Sequence, residues 1–68
     1  MSKVTPLPLV PRPFALIVDD TRILGRNLSR YLQKQGLRAQ AATSLAAANR
    51  IIAEHKPDLA VVDLRLPD

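Results

Sequence analysis

Two apolar runs end in carboxylates: Ala15-Leu16-Ile17-Val18 runs into Asp19-Asp20, and Leu59-Ala60-Val61-Val62 runs into Asp63. Asp63 follows Asp20 by 43 positions, and these three are half of the chain's six acidic residues. If both runs are parallel strands of one sheet, the carboxylates meet at its carboxyl edge, where open α/β sheets bind their ligands. Carboxylates held that close repel, and a cation or a proton must relieve them. An all-oxygen set of this kind suits a hard divalent cation such as Mg²⁺.

The elements needed to bring these residues together are legible between the two runs. Phe14 to Val18 is apolar without alternation, as in a strand covered on both faces. Thr21 or Asp20 can cap the helix that follows, and Gly36 can stop it. In that helix Leu24, Leu28, Tyr31, Leu32 and Gln35 fall on one face, and Arg22, Arg26, Arg30 and Lys34 form a ridge on another. Gly25 in its interior costs about 1 kcal/mol relative to Ala.

Leu37 to Ala42 alternates weakly and is half polar, which fits an edge strand. Thr43 or Ser44 then caps a second helix with a stripe of Leu45, Ala48, Ile51 and Ile52. His55 and Lys56 lie near its C-terminus, where positive charge is favoured, and Pro57 prevents continuation. Leu59 to Asp63 is apolar up to its last residue and reads as a central strand. Right-handed crossovers and an edge position for the half-polar strand give the order 2-1-3, with Asp20 and Asp63 on adjacent strands.

The 68 residues allow one small domain, marginal without staples. Cysteine is absent, so disulfides, thiolate metal sites and thiol nucleophiles are excluded. Residues 1–13 carry four prolines and read as a Pro-rich flexible tail ahead of a domain over 14–68. Pro8 and Pro11 make a P-x-x-P spacing, but an extended leader is the simpler reading. No apolar run is long enough for a membrane span, which points to a soluble cytoplasmic protein. A net charge of +4 with only Phe14 and Tyr31 as aromatics gives little support to direct nucleic-acid binding.

Ile17-Val18-Asp19-Asp20 resembles the first strand and acidic pair of the receiver domain of two-component response regulators. Val61-Val62-Asp63-Leu64-Arg65-Leu66-Pro67-Asp68 resembles that family's third strand and phosphoacceptor loop. The likeness covers 14–68 without an insertion, and implies a flavodoxin-like receiver, an α/β parallel sheet here cut to β-α-β-α-β. It implies transfer of a phosphoryl group from a sensor histidine kinase, or a phosphotransfer protein, to Asp63. Asp20 and Asp63 would ligate Mg²⁺, Arg65 would add its backbone carbonyl, and Asp19 would hold a metal-bound water. Such a domain is a phosphoacceptor rather than an enzyme.

The family also carries a Ser or Thr after its fourth strand and a Lys after its fifth, and the sequence stops before both. It is read here as the front portion of a longer receiver, not fully competent alone. The alternative is an interaction fragment that binds a kinase or self-associates through an open sheet edge. His55 and Lys56 cannot substitute, because five strand residues place them roughly 15 Å from Asp63. Asp19 or Asp20 could serve only as a helix cap, but the pairing with Asp63 and its loop favours the phosphoacceptor reading. No G-x-G-x-x-G or G-K-[ST] occurs, and Asp19-Asp20-Thr21 lacks the D-x-D spacing of aspartate phosphatases. On the first helix Ile23 points away from the apolar face with Asn27 nearby. Receivers present the start of this helix to their kinase, so Ile23, Asn27 and Arg22 are the expected partner contacts. The ridge is either a solvated face or an aid to encounter with an acidic surface.

Overall fold

A computed structural model describes residues 12–63. The elements are β1 (Phe14–Val18), α1 (Arg22–Lys34), β2 (Arg38–Ala42), α2 (Leu45–Glu54) and β3 (Leu59–Val62). The strands form one parallel sheet in the order β2-β1-β3, as the pattern of apolar and half-polar runs predicts. β1 lies between its neighbours with all five residues buried, which is why its sequence is apolar at every position.

The helices cover opposite faces of the sheet. Ala48 of α2 packs with Leu16, Val18 and Ala42, and Ala47 and Ile51 complete that layer. Gly25 of α1 approaches Ala41, on the other face of β2. This is what right-handed crossovers require when the chain moves first to one side of β1 and then to the other.

Local signals act as read at two helix ends. Ser44 caps α2, its hydroxyl accepting from the Ala47 amide at 3.1 Å. Gly36, with φ +94°, ends α1. The Gly36 amide donates to Gln33 and the Leu37 amide to Leu32, so two end carbonyls are satisfied together.

Three expectations are corrected. Leu24 and Tyr31, expected on the buried face of α1, are 53% and 58% exposed, and Gln35 is exposed too. Gly25 is the fully buried residue of α1 instead. A Cβ there would lie 3.3 Å from that of Ala41, so the glycine lets the helix sit close to the sheet. On α2, Leu45 and Ile52 are exposed while Ala48 is buried. β3, read as central, is at an edge, and all four of its residues are exposed among the described residues. Its composition suits cover on both faces, but only β1 lies beside it.

The opposite end of the sheet is tied by Asp58 and Arg38. The Asp58 carboxylate accepts from the Phe14 amide at 2.7 Å, and the Asp58 amide donates to the Phe14 carbonyl at 2.8 Å. Arg38 donates from its backbone to the Pro13 carbonyl and from Nε to the Arg12 carbonyl. Its guanidinium lies over the Phe14 ring, and the His55 ring is 5.8 Å from that ring. His55 therefore belongs to the end away from the carboxylates, as expected. The remainder of the Pro-rich segment, including Pro8 and Pro11, lies outside the described residues.

Candidate functional site

The paired strands carry their aspartates to one place. Val18 and Val62 are partners in the last rung of the β1–β3 ladder. The Asp63 amide then donates to the Val18 carbonyl at 2.8 Å, and the Asp19 amide donates to the Ala42 carbonyl at 3.0 Å. Both residues are thus fixed by main-chain bonds as the chain leaves the sheet. Asp20 follows at the turn into α1.

Asp19, Asp20 and Asp63 each offer a carboxylate oxygen, and these oxygens lie within 4.8 Å of one another. Asp19 and Asp63 are half-buried and Asp20 is exposed. Opposite oxygens around Mg²⁺ are separated by about 4.2 Å, twice its bond length, so small side-chain rotations would close the set on such an ion. The donors are hard anionic oxygens, and the cluster fits that class of cation.

Local bonds restrain Asp19 and Asp20. Asp19 Oδ1 accepts from the Thr21 amide at 2.8 Å, and Asp20 Oδ1 accepts from the Thr21 hydroxyl at 3.4 Å. Thr21 occupies the N-cap position of α1, but its side chain does not cap the helix. Neither expected capper, Thr21 or Asp20, is therefore engaged with an α1 amide through its side chain.

Two hollows flank Asp19. One, of about 170 Å³, is lined by Ile17, Val18, Leu24, Leu28, Val61 and Val62 together with Asp19 and Asp63. The other, of about 220 Å³, is lined by Thr21, Arg22, Gly25, Arg26, Ala41 and Thr43 as well as Asp19. Sequence reasoning missed Leu24, Leu28 and Gly25 as neighbours of the site. A glycine inside a helical pattern was the available signal, since it can mark a close backbone approach. Ile23, Asn27 and Arg22 are exposed on α1, and Arg65 lies outside the described residues. No helix among the described residues is long and apolar enough to cross a membrane.

The family model for the response regulator receiver domain matches residues 15–68. The photosynthetic apparatus regulatory protein RegA of Rhodovulum sulfidophilum is 43% identical over 56 residues, covering 82% of this chain and 31% of that protein. The virulence transcriptional regulatory protein PhoP of Salmonella typhimurium is 42% identical over 53 residues, covering 78% of this chain and 24% of that protein. The RegA protein of Rhodobacter capsulatus is 36% identical over 53 residues, covering 78% of this chain and 29% of that protein. The chain therefore spans under a third of the length of these relatives. No solved structure matches it significantly. With the strand order, the carboxylate cluster and the family match in agreement, the chain belongs to the response regulator receiver domain family, the signalling domains of two-component systems.

Proposed function

We propose that this chain is the phosphoacceptor and Mg²⁺-binding portion of a receiver, with Asp63 as the nucleophile. The supporting observation is the convergence of three carboxylates from two adjacent strand ends. An Asp63 oxygen attacks the phosphorus of a phosphohistidine, the P–N bond breaks, and the imidazole leaves with the electron pair. Asp20 and Asp63 would ligate Mg²⁺ directly, Asp19 would hold a metal-bound water, and Arg65 would add its backbone carbonyl. The ion supplies positive charge that offsets the phosphoryl oxygens and the carboxylates together. The protein's own share is positioning, through the fixed backbones of Asp19 and Asp63. Ile23, Asn27 and Arg22 contact the kinase. The chain acts in the cytoplasm as a signalling acceptor and not as an enzyme.

A second reading is favoured by β3, whose Leu59, Val61 and Val62 are 40–44% exposed at a sheet edge. In that reading the chain does not keep a phosphoryl group and works by association, with a kinase or with itself. Amide NMR with and without millimolar Mg²⁺, followed by a phosphoramidate as phosphoryl donor, separates the two. The first reading gives shifts at Asp19, Asp20 and Asp63 and, in the full-length parent, a base-labile phosphate that Asp63→Asn abolishes. Mg²⁺ shifts without phosphate uptake by that parent favour the association reading. A spectrum indifferent to Mg²⁺ overturns the metal assignment.

A further inference from the structure

Thr21 stands where a cap belongs and does not cap. Its backbone is extended, at φ −92° and ψ 105°, the conformation of a residue whose side chain accepts from the first turn of a helix. No acidic side chain lies in that turn of α1 to take those amides instead. At the start of α2, Ser44 in the same position does cap, with a bond of 3.1 Å. Thr21 is engaged with the carboxylates: its amide donates to Asp19 Oδ1 at 2.8 Å and its hydroxyl to Asp20 Oδ1 at 3.4 Å. One residue thus spans both acids that follow β1, while Asp63 is fixed separately by its main-chain bond to Val18.

The hydroxyl contact is the one that the backbone cannot replace. Asp20 is exposed, and among the described residues the Thr21 hydroxyl is the donor that reaches its carboxylate. A carboxylate has lone pairs on both oxygens, so a bond at Oδ1 leaves Oδ2 open to a cation. Groups that hold a ligand carboxylate from behind orient it and raise metal affinity. We propose that Thr21 is a positioning residue for the cation site, its hydroxyl given up as a cap of α1 to hold Asp20 beside Asp19 and Asp63. The proposal rests on the Mg²⁺ reading of this cluster and adds to it a side chain that is not itself a ligand.

The test compares Thr21→Val, Thr21→Ser and wild type as 68-residue chains. Val keeps the branched shape without the hydroxyl, and Ser keeps the hydroxyl. Without divalent cation, the Hα–Hβ couplings of Asp20 should show a preferred rotamer in wild type and Thr21→Ser, and averaging in Thr21→Val. Mg²⁺ titrations, followed by the amide shifts of Asp19 and Asp63, give the affinity. Losing a partner behind a metal ligand typically costs about 10- to 100-fold. For a bond as long as 3.4 Å, Thr21→Val should weaken binding about three- to ten-fold, and Thr21→Ser should recover most of the loss. Urea midpoints without cation should agree among the three, because no cap is lost. Equal Mg²⁺ affinity in wild type and Thr21→Val overturns the proposal, as does a Thr21→Ser chain that recovers nothing. No Mg²⁺ response in wild type removes the Mg²⁺ reading; couplings that still depend on the hydroxyl then leave its hold on Asp20 standing, and identical couplings in all three chains overturn that hold.

Discussion

The Asp63 amide donates to the Val18 carbonyl at 2.8 Å, one residue beyond the last rung shared by β1 and β3. This bond fixes the backbone of Asp63 beside the strand end from which Asp19 and Asp20 emerge. On the other side of β1 the Asp19 amide is held by the Ala42 carbonyl. The carboxylates are therefore gathered by the sheet's own ladder, and their mutual repulsion is opposed by main-chain bonds. Metal affinity and stability should be linked at this site.

Asp20→Asn tests that linkage. Removing one charge relieves on the order of 1 kcal/mol or less of repulsion at this separation in a water-like dielectric, and an amide oxygen can still accept from Thr21. Thermal melts without divalent cation should show the variant at least as stable as wild type. With Mg²⁺ present, wild type should gain more, because a ligand stabilises the state that binds it. A variant less stable in both conditions would contradict the repulsion argument.

The two helix starts should respond unequally to alanine. Ser44→Ala removes the acceptor of the Ala47 amide and should cost about 1 kcal/mol. Thr21→Ala removes a hydroxyl that reaches only Asp20, so its cost should stay within a few tenths of a kcal/mol, well below a lost cap. Urea melts of the two variants, analysed with a common slope, give the comparison.

Gly25 separates helix propensity from packing. Gly25→Ala gains about 1 kcal/mol of propensity but brings a methyl to 3.3 Å from the Ala41 Cβ, and the two effects should nearly cancel. Gly25→Leu should destabilise by about 1–3 kcal/mol, because the close face cannot take the extra volume. Circular dichroism melts measure both, and amide shifts along β2 should report any lifting of α1.

Asp58→Ala should loosen the first residue of the central strand. Its carboxylate accepts from the Phe14 amide at 2.7 Å, and an amide left without that partner costs about 1–3 kcal/mol. Hydrogen exchange at Phe14 should accelerate before exchange at Ile17 does. Uniform acceleration along β1 would show instead that the whole strand depends on this bond.

The order of elements, the parallel sheet and the position of the carboxylates were legible in the chain itself. Their signals are local: the uninterrupted apolar run of β1, the half-polar β2, Ser44 before α2 and Gly36 after α1. Crossover handedness then left few ways to arrange three strands. The face of α1 was not legible in the same way. A hydrophobic stripe identifies which side can be buried, while the depth of approach depends on what the sheet presents opposite it. Here β2 presents Ala41, and Gly25 is buried against it while Leu24 and Tyr31 remain open.

Likewise, an apolar strand such as β3 shows what cover its residues suit, and only its neighbours decide whether that cover exists. Which side chains work as caps also needed three dimensions, since Thr21 and Asp20 before α1 and Thr43 and Ser44 before α2 all have the right chemistry. Thr21 directs its hydroxyl to Asp20 because the aspartates crowd that turn, whereas Ser44 has no such competitor and reaches the Ala47 amide. The sequence by itself determined which residues could do chemistry and the ladder that would align them. The tertiary structure decided which surfaces were used, because burial and competition for hydrogen bonds depend on neighbours distant in the chain.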